Sequence, residues 1–334
     1  MRLNSPLKPV LPAPFTTLLI TALLAQAFPV SAQPTTFPGK PLRLIASQTA
    51  GGGVDQVARL VSGRLAEALG QTVIVDNKPG ANGTLAGELT AKSPPDGHTL
   101  MIGAVGNLAV NTFFIKQMSY EPLQDLAPVT LAVSGANVLV VHPSVPARSV
   151  KELVALAKAR PGALAYGTTG IGGTGHLAGA LFQSMAKVEL LHVPYKGGAP
   201  AMVDLLAGEV QLTFASSPTV APNISSGRLK PLAVTTLHRS KLFPLLPTVA
   251  ESGVPNYEAQ SWYGFVVPAK TPVAIVARLN KEIVQILNRP ETAEALLKSG
   301  MEPWSSTPDA FGAYLKAEYN KWGRIIKAAG ISAN

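Results

Sequence analysis

Twice along this chain a short apolar strand runs into a cluster of glycines, and the cluster opens an amphipathic helix. Leu42-Arg43-Leu44-Ile45-Ala46 reads as a strand and is followed by Gly51-Gly52-Gly53. Val54, Val57, Ala58, Val61, Leu65 and Leu69 then recur at helical spacing until Gly70 stops the helix. Further on, the strand Leu164-Ala165-Tyr166 leads into Gly170-Ile171-Gly172-Gly173-Thr174-Gly175 and a helix expected over Leu177 to Lys187. Between and after these units the alternation continues. Strands are expected at Val73 to Val75, Thr99 to Ala104, Leu190 to Pro194 and Val210 to Ala215, and helices at Leu85 to Ala91 and Ala199 to Leu206. Ser149, with Glu152 three residues on, makes a capping box for a helix from Val150 to Ala159, which Pro161-Gly162 terminates. The last portion reads as helical over Pro272 to Asn288, Glu291 to Ser299 and Asp309 to Ala328. This is an α/β pattern with parallel strands. No low-complexity linker divides it, and two exposed-looking apolar runs, Val138 to Val141 and Tyr263 to Val267, are the natural crossovers between two units. The expectation is a discontinuous first domain, 33–137 plus 262–334, and a second domain, 138–261.

Each glycine cluster sits where a helix begins, and there the free backbone N–H groups and the helix dipole favour an anion. Glycine adds the freedom to approach an oxyanion closely. One such loop is weak evidence, because many helices start after a tight turn. Two of them, both at the C-terminal ends of strands where open α/β sheets form their crevice, point more firmly to an anion site. At the first loop a dinucleotide reading fails on spacing, since Ala50-Gly51-Gly52-Gly53-Val54-Asp55 is not G-x-G-x-x-G, and no G-x-x-x-x-G-K-[ST] occurs in the chain.

Arg2 and Lys8 precede a short apolar run from Phe15 to Ala27, and Val30-Ser31-Ala32 has the small residues of a signal-peptidase site. The run is too short for a bilayer, which takes about 20 apolar residues. Residues 1–32 therefore read as a cleaved secretory signal, with the mature chain starting near Gln33 and residing in the periplasm. The absence of cysteine excludes disulfides, thiolate metal sites and a lipid-anchoring cysteine. The net charge of +9 comes from scattered lysines and arginines, apart from Lys321, Arg324 and Lys327 on one helix stripe, which reads as a solvated face. Export disfavours nucleic acid as a partner.

The search for catalytic groups returns little. There is no G-x-S-x-G elbow and no H-E-x-x-H, and the five histidines (98, 142, 176, 192 and 238) do not pair at metal-ligand spacing within a helix. Ser184-Met185-Ala186-Lys187 matches S-x-x-K by chance, without the companion motifs. His176 reads as a packing or capping residue. Asp55 either accepts from a ligand or caps its helix, and Trp262-Tyr263 either walls a pocket or packs at the hinge; the sequence leaves both pairs open. No catalytic residue, cofactor or metal is expected.

Several ordered motifs carry a family resemblance. Pro41-Leu42-Arg43-Leu44-Ile45 with Ala50-Gly51-Gly52-Gly53-Val54-Asp55-Gln56-Val57-Ala58-Arg59, then Asn77-Lys78-Pro79-Gly80-Ala81-Asn82-Gly83 and Pro95-Asp96-Gly97-His98-Thr99-Leu100, open the series. Gly175-His176-Leu177-Ala178, Val193-Pro194-Tyr195-Lys196-Gly197-Gly198, Leu232-Ala233-Val234, Pro247-Thr248-Val249-Ala250-Glu251-Ser252-Gly253 and Ser261-Trp262-Tyr263-Gly264 complete it. Over the whole mature chain the sequence resembles the Bug-type receptors, the solute-binding components of tripartite tricarboxylate transporters. The resemblance implies a two-domain periplasmic-binding-protein fold, a type II Venus flytrap with two crossover strands. It also implies a carboxylate gripped between Ala50 to Gly53 and Gly172 to Thr174, largely by backbone and water, and a membrane permease as partner to a monomeric receptor. The candidate ligand-binding residues are Gln48, Ala50, Gly51, Gly52, Gly53, Asp55, Asn107, Thr168, Gly172, Gly173, Thr174 and Ser216. The family often has Pro-Phe-Pro where Ser47-Gln48-Thr49 stands here, and Thr where Val54 stands. Gln48 in place of an aromatic suggests a more polar pocket wall, and the identity of the carboxylate stays open.

Two other classes compete with transport: a sensor that signals to a membrane kinase through the same site, and an exported hydrolase using the cleft. Turnover of a bound acid separates the hydrolase, and a neighbouring permease or kinase gene separates the other two. Mass spectrometry of the exported protein is expected to find Gln33 at the N-terminus; an uncleaved cytoplasmic pool would overturn the reading of residues 1–32.

Overall fold

The computed structural model describes residues 37–115, 117–195, 198–328 and 330. The expected leader and the cleavage site before Gln33 lie outside the described residues. In chain order the elements are β1 (Leu42–Ala46), α1 (Gly53–Leu69), β2 (Val73–Asn77), α2 (Thr84–Ala91), β3 (Thr99–Ala104), α3 (Pro122–Asp125), β4 (Leu126–Gly135) and β5 (Asn137–Val141). They continue with α4 (Val150–Ala159), β6 (Ala165–Thr168), α5 (Thr174–Ala186), β7 (Leu191–Pro194), α6 (Gly198–Ala207), β8 (Leu212–Ser216), α7 (Ser217–Ser225) and β9 (Lys230–Val234). The chain closes with β10 (Ser261–Pro268), α8 (Val273–Leu287), α9 (Pro290–Lys298), β11 (Glu302–Pro303) and α10 (Pro308–Ala328).

These strands form two sheets. The first has the order β11-β4-β10-β3-β1-β2 and the second β7-β6-β8-β5-β9. β1 lies parallel to β2 and β3, and β6 lies parallel to β7 and β8. Each parallel set is extended by an antiparallel strand: β10 between β3 and β4, and β5 between β8 and β9. The chain passes from the first sheet to the second at Ala136, the single residue between β4 and β5, and returns over 235–260.

The crossover runs are not exposed. Val138, Leu139, Val140 and Val141 are all fully buried, and so are Phe265, Val266 and Val267. Successive side chains of β5 enter different cores: Leu139 and Val141 join one cluster, Val138 and Val140 another. β10 divides in the same way, with Val266 on one face and Phe265 and Val267 on the other. A strand covered on both faces is apolar without alternation, and its sequence carries no sign of which neighbour covers it. The helix expected from Leu177 begins three residues earlier, at Thr174, because Gly173 takes the extended cap conformation (φ −69°, ψ 160°). The capping box at Ser149 forms: the Glu152 N–H donates to Ser149 Oγ at 3.2 Å, and the Glu152 carboxylate accepts from the Arg148 N–H at 2.7 Å.

α10 ties the two sheets together, packing on β4 and against α5. At its centre the buried Glu318 accepts from two indoles through one oxygen, Trp262 Nε1 on β10 and Trp322 Nε1 on α10, each at 2.9 Å. Its other oxygen pairs with Lys321. Among the described residues no helix is long and apolar enough to cross a membrane. Replacing Glu318 by alanine leaves two buried indole donors without an acceptor, at roughly 1–3 kcal/mol each before relaxation. Urea unfolding followed by tryptophan fluorescence is therefore expected to show Glu318→Ala destabilised by about 2–4 kcal/mol; an unchanged midpoint would mean that the indoles find other partners.

Candidate functional site

β1 and β6 deliver their glycine loops to corresponding places, each at the C-terminal end of a parallel strand and each running into a helix. The first loop is held from its helix side. Asp55, buried in the first turn of α1, accepts from the Gly51 N–H at 2.8 Å, from Arg59 Nε at 3.0 Å and from Asn77 Nδ2 at 2.9 Å. Asn77 Nδ2 also donates to the Gln48 carbonyl at 3.1 Å, and Arg59 Nη2 donates to Asn77 Oδ1 at 3.2 Å. Burial pushes the Asp55 carboxyl up, but the hydrogen bonds from Arg59, Gly51 and Asn77 outweigh it and hold its pKa below the usual carboxylate range. The carboxylate is occupied within the loop it supports. Gln48 turns its side-chain carbonyl to the Val54 N–H at 3.4 Å, toward the start of α1.

The second loop is held from beneath by two histidines. The Gly172 N–H donates to His176 Nδ1 at 3.1 Å, and His192 Nε2 on β7 lies 2.7 Å from Thr168 Oγ1. That hydroxyl in turn bonds Gly170, accepting from its N–H and donating to its carbonyl, both at 3.3 Å. The two imidazoles stack with centroids 3.9 Å apart and planes 5° from parallel. Burial, together with the neighbouring His192, pushes His176 down to about 4, and burial lowers His192 as well. On the side away from the loop the pair faces an open groove of about 740 Å³ whose other charged groups are Lys158, Lys187 and Glu189.

Two cavities share Ser216 as a lining residue, the first between the two sheets and the second within the lobe of the second sheet. One of about 240 Å³ is lined by Gly53 and Gln56 of α1, by Ser216, Ser217 and Pro218 at the start of α7, by Gly135, Ala136, Ser261, Trp262 and Tyr263 of the crossover strands, and by Ser299 to Met301. The other, of about 90 Å³, is lined by Thr168, Thr169, Thr174, Gly175, Thr213, Ser216 and Thr219, with apolar residues of α6 and β8. The N-termini of α1 and α7 border the larger cavity, and those of α5 and α7 the smaller. Among the described residues no lysine, arginine, histidine, aspartate or glutamate lines either cavity.

Of the residues singled out from sequence, Gly53, Thr168, Thr174 and Ser216 line these cavities. Gln48, Ala50, Gly51, Gly52, Asp55, Gly172 and Gly173 form the loops or brace them. Asn107 is buried in a π-helical turn over Gly106–Val110, where its Oδ1 accepts from the Ala104 N–H at 2.8 Å at the end of β3. Sequence reasoning missed Gln56, Thr169, Ser217, Thr219 and Ser261 as wall residues. Thr169 adjoins the second glycine cluster and Ser261 opens a quoted motif, so those two carried a signal; Ser217 and Thr219 carried none. Trp262 lines the larger cavity and also packs at the hinge through Glu318. Among the described residues no three His, Cys, Asp or Glu side chains gather as metal ligands.

Two α/β lobes joined by crossover strands, with hydroxyl-rich cavities at the strand and helix ends, define a solute-binding protein of the periplasmic-binding-protein class. Residues 57–331 match the family described as "Tripartite tricarboxylate transporter family receptor", and the chain belongs to that family. Among solved structures, it is similar to the R. palustris protein Rpa4515 with adipate, at 39% identity and a TM-score of 0.76 over 88% of this chain and 99% of that one. It is similar to the periplasmic binding protein BugD, at 33% identity and a TM-score of 0.72 over 88% and 99%. It is also similar to MatC from Rhodopseudomonas palustris with bound malate, at 26% identity and a TM-score of 0.71 over 87% and 100%. The family and the two-domain fold inferred from the sequence motifs are confirmed.

The buried histidine predicts how stability varies with pH. His176 titrates near 6.5 when unfolded and at about 4 when folded, so between those values the unfolded chain binds the extra proton and stability falls as pH falls. From pH 7 to pH 5 this one group costs about 2 kcal/mol. The Asp55 carboxyl, depressed in the folded state, adds its own loss only at lower pH, where unfolded carboxyls take up protons. Chemical denaturation of wild type at the two pH values should show a drop that His176→Asn reduces by about that amount; equal drops would place the titration elsewhere.

Proposed function

We propose that this protein captures a small carboxylate in the periplasm and hands it to the membrane permease of a tripartite tricarboxylate transporter, acting as a monomer and without turning the ligand over. The observation that carries this reading is the set of helix N-termini at these cavities, α1 and α7 at the larger and α5 and α7 at the smaller, with no lysine, arginine, histidine, aspartate or glutamate among the described residues that line them. The α1 and α5 N-termini present unsatisfied N–H groups, and each helix N-terminus carries a partial positive charge of about half a unit; at α7 the Ser217 N–H is already spent on the Ala136 carbonyl at 3.1 Å, and Pro218 has none. An anion there meets donors and no competing carboxylate, whereas a cation would meet neither a counter-charge nor a ring of acceptors. The serine and threonine hydroxyls and Gln56 donate or accept as the rest of the ligand requires. Adipate and malate in the two similar structures are both dicarboxylates, which agrees with this chemistry. Among the described residues no nucleophile paired with a base and no metal-ligand cluster stands in these cavities, which supports binding over hydrolysis. Residues 1–32 as a cleaved signal, and the periplasmic BugD as a relative, support the location.

The grip then rests on negative charge and close backbone approach. Charge-assisted hydrogen bonds contribute roughly 1.5–3 kcal/mol each. A thermal-shift screen of mono-, di- and tricarboxylates identifies the best ligand, and calorimetry then compares that acid with its amide. The amide should bind at least ~100-fold more weakly, about 2.7 kcal/mol. Gly173→Val should weaken the acid comparably while remaining folded. The backbone there is ordinary for an L-residue, and a Cβ would meet the Thr169 hydroxyl at 2.9 Å, on a side chain able to rotate, and the Gly170 carbonyl oxygen at 3.4 Å, an ordinary contact. Equal binding of acid and amide, or a screen in which no carboxylate stabilises the protein, overturns the proposal.

A further inference from the structure

The second glycine loop has an unusual support. Most of its backbone faces solvent or the cleft, and Ile171 at its tip is 51% exposed. Yet its two flanking glycines are each fixed to an imidazole pair, His176 buried and His192 half-buried. Gly172, at φ +75°, points its N–H at His176 Nδ1, one turn into α5. Gly170, at φ +132°, is clasped through both its N–H and its carbonyl by the Thr168 hydroxyl, and that hydroxyl meets His192 Nε2. The two rings come from different elements, α5 and β7, and touch face to face. Tyr166 covers the other face of His192, with centroids 4.9 Å apart. A shift of either ring therefore moves both anchors of the loop. After Gly172, the N–H groups of Gly173, Thr174 and Gly175 have no protein acceptor among the described residues, and these are the donors at the mouth of α5.

We propose that His176 and His192 are positioning residues for ligand binding: a stacked pair that holds the second glycine loop, from the side away from the cleft, in the shape that presents the α5 N-terminus to the ligand. This rests on the carboxylate reading above for its ligand. Nothing in it requires either ring to touch that ligand, and neither ring lines the cleft cavities. The geometry assigns each ring a separate task. At 176 the working atom is Nδ1, close to the backbone, and it must accept. At 192 the working atom is Nε2, at the far end of the ring, and it donates to the Thr168 hydroxyl, whose one proton goes to the Gly170 carbonyl.

This division makes the proposal specific. The side-chain oxygen of asparagine falls near the place of Nδ1, and the amide of glutamine reaches near the place of Nε2. Phenylalanine fills the space and keeps the stack at either position but offers neither the acceptor needed at 176 nor the donor needed at 192. If the histidines are packing residues only, phenylalanine is the good replacement and the amides are poor ones. If they position the loop, the ranking inverts.

The test uses the full mature chain and three readouts: melting temperature, calorimetric affinity for the best carboxylate from the screen, and deuterium exchange over 169–175. His176→Phe and His192→Phe should each bind about tenfold more weakly, the size of one or two net hydrogen bonds, and should exchange the loop amides at least ~10-fold faster. His176→Asn and His192→Gln should stay within about threefold of wild type in both respects, whatever their melting temperatures. Swapping the amides, as His176→Gln and His192→Asn, should lose the rescue. Phenylalanine variants with wild-type affinity and exchange overturn the proposal, as does equal damage from phenylalanine and the matched amide. Should a phenylalanine variant fail to fold, the matched and swapped amides still decide it against each other. Failure of the carboxylate reading looks different: wild type then binds no acid, while the exchange pattern of the ligand-free loop still reports whether the histidines hold it.

Discussion

At the start of α1 the backbone of Gly53 passes so close to the ring of Tyr263 that a Cβ would lie 2.6 Å from its hydroxyl. That approach brings the first helix N-terminus against the crossover strand β10, and the rest of the cleft is arranged around it. β10 lies between β3 and β4, so the helix end and the point where the chain changes sheets share one wall. A side chain on residue 53 would push α1 off β10 or rotate the tyrosine, and either change would withdraw the N–H groups that face the cavity. The glycine cluster serves close approach here more than backbone freedom: Gly53 is the first residue of α1, and Gly52 before it has an ordinary φ of −72°.

A helix N-terminus brought bare to a cavity has no side chain to fix it, so the loop before it must be fixed from behind. The two lobes meet this need with different chemistry. In the first, a buried carboxylate gathers the Gly51 N–H, Arg59 and Asn77, and Asn77 passes the restraint on to the Gln48 carbonyl. In the second, neutral imidazoles and a threonine hydroxyl do the same for Gly170 and Gly172. The charged bracket at Asp55 keeps its negative charge outside the two cavities, behind loop backbone and beside Arg59. The second bracket introduces no charge at neutral pH. Both arrangements leave the field of the helix ends inside the cleft uncancelled, which a carboxylate in the cavity wall would not.

The parts of this architecture that were legible in the sequence are those encoded locally. β1, β3 and α4 occupy the spans that alternation, helical spacing and the Ser149–Glu152 box indicate, because each depends on residues within one turn or one strand. β4 went unrecognised: Leu126 to Gly135 mixes proline, threonine and serine with apolar residues, and it is a strand because β10 and β11 pair with it across more than a hundred residues of chain. The burial of Val138 to Val141 has the same character, since the elements covering β5 are distant in sequence. The two glycine loops were visible as loops. That Asp55 and His176 turn inward to brace them was not, because a short-range hydrogen bond to backbone leaves no periodic mark. Ser217 and Thr219 were invisible for a related reason: α7 begins with Pro218 in its first turn and carries Pro222 inside it, so its sequence looks like a turn, not a helix.

On the proposed carboxylate reading, with no lysine, arginine, histidine, aspartate or glutamate among the described lining residues, charge and identity of the solute are recognised by different groups. The helix ends respond to any carboxylate within hydrogen-bonding reach, and they are backbone, so substitution in the cavity wall leaves them in place. Discrimination between acids is left to the wall: the apolar faces of Val133, Trp262 and Met301 in the larger cavity, and the hydroxyls of Thr169, Ser217 and Thr219, which donate as readily as they accept. An apolar pocket rejects a wrong methylene by only about 1–3 kcal/mol, whereas a hydroxyl left without its partner in a closed site discriminates more sharply. The size and hydroxylation of the solute are thus set by a few neutral residues whose exchange would leave the fold, the hinge and the anion grip intact. A family built this way can move between straight-chain and hydroxylated acids by changing its cavity wall alone, which is consistent with adipate and malate occupying two members that share this fold.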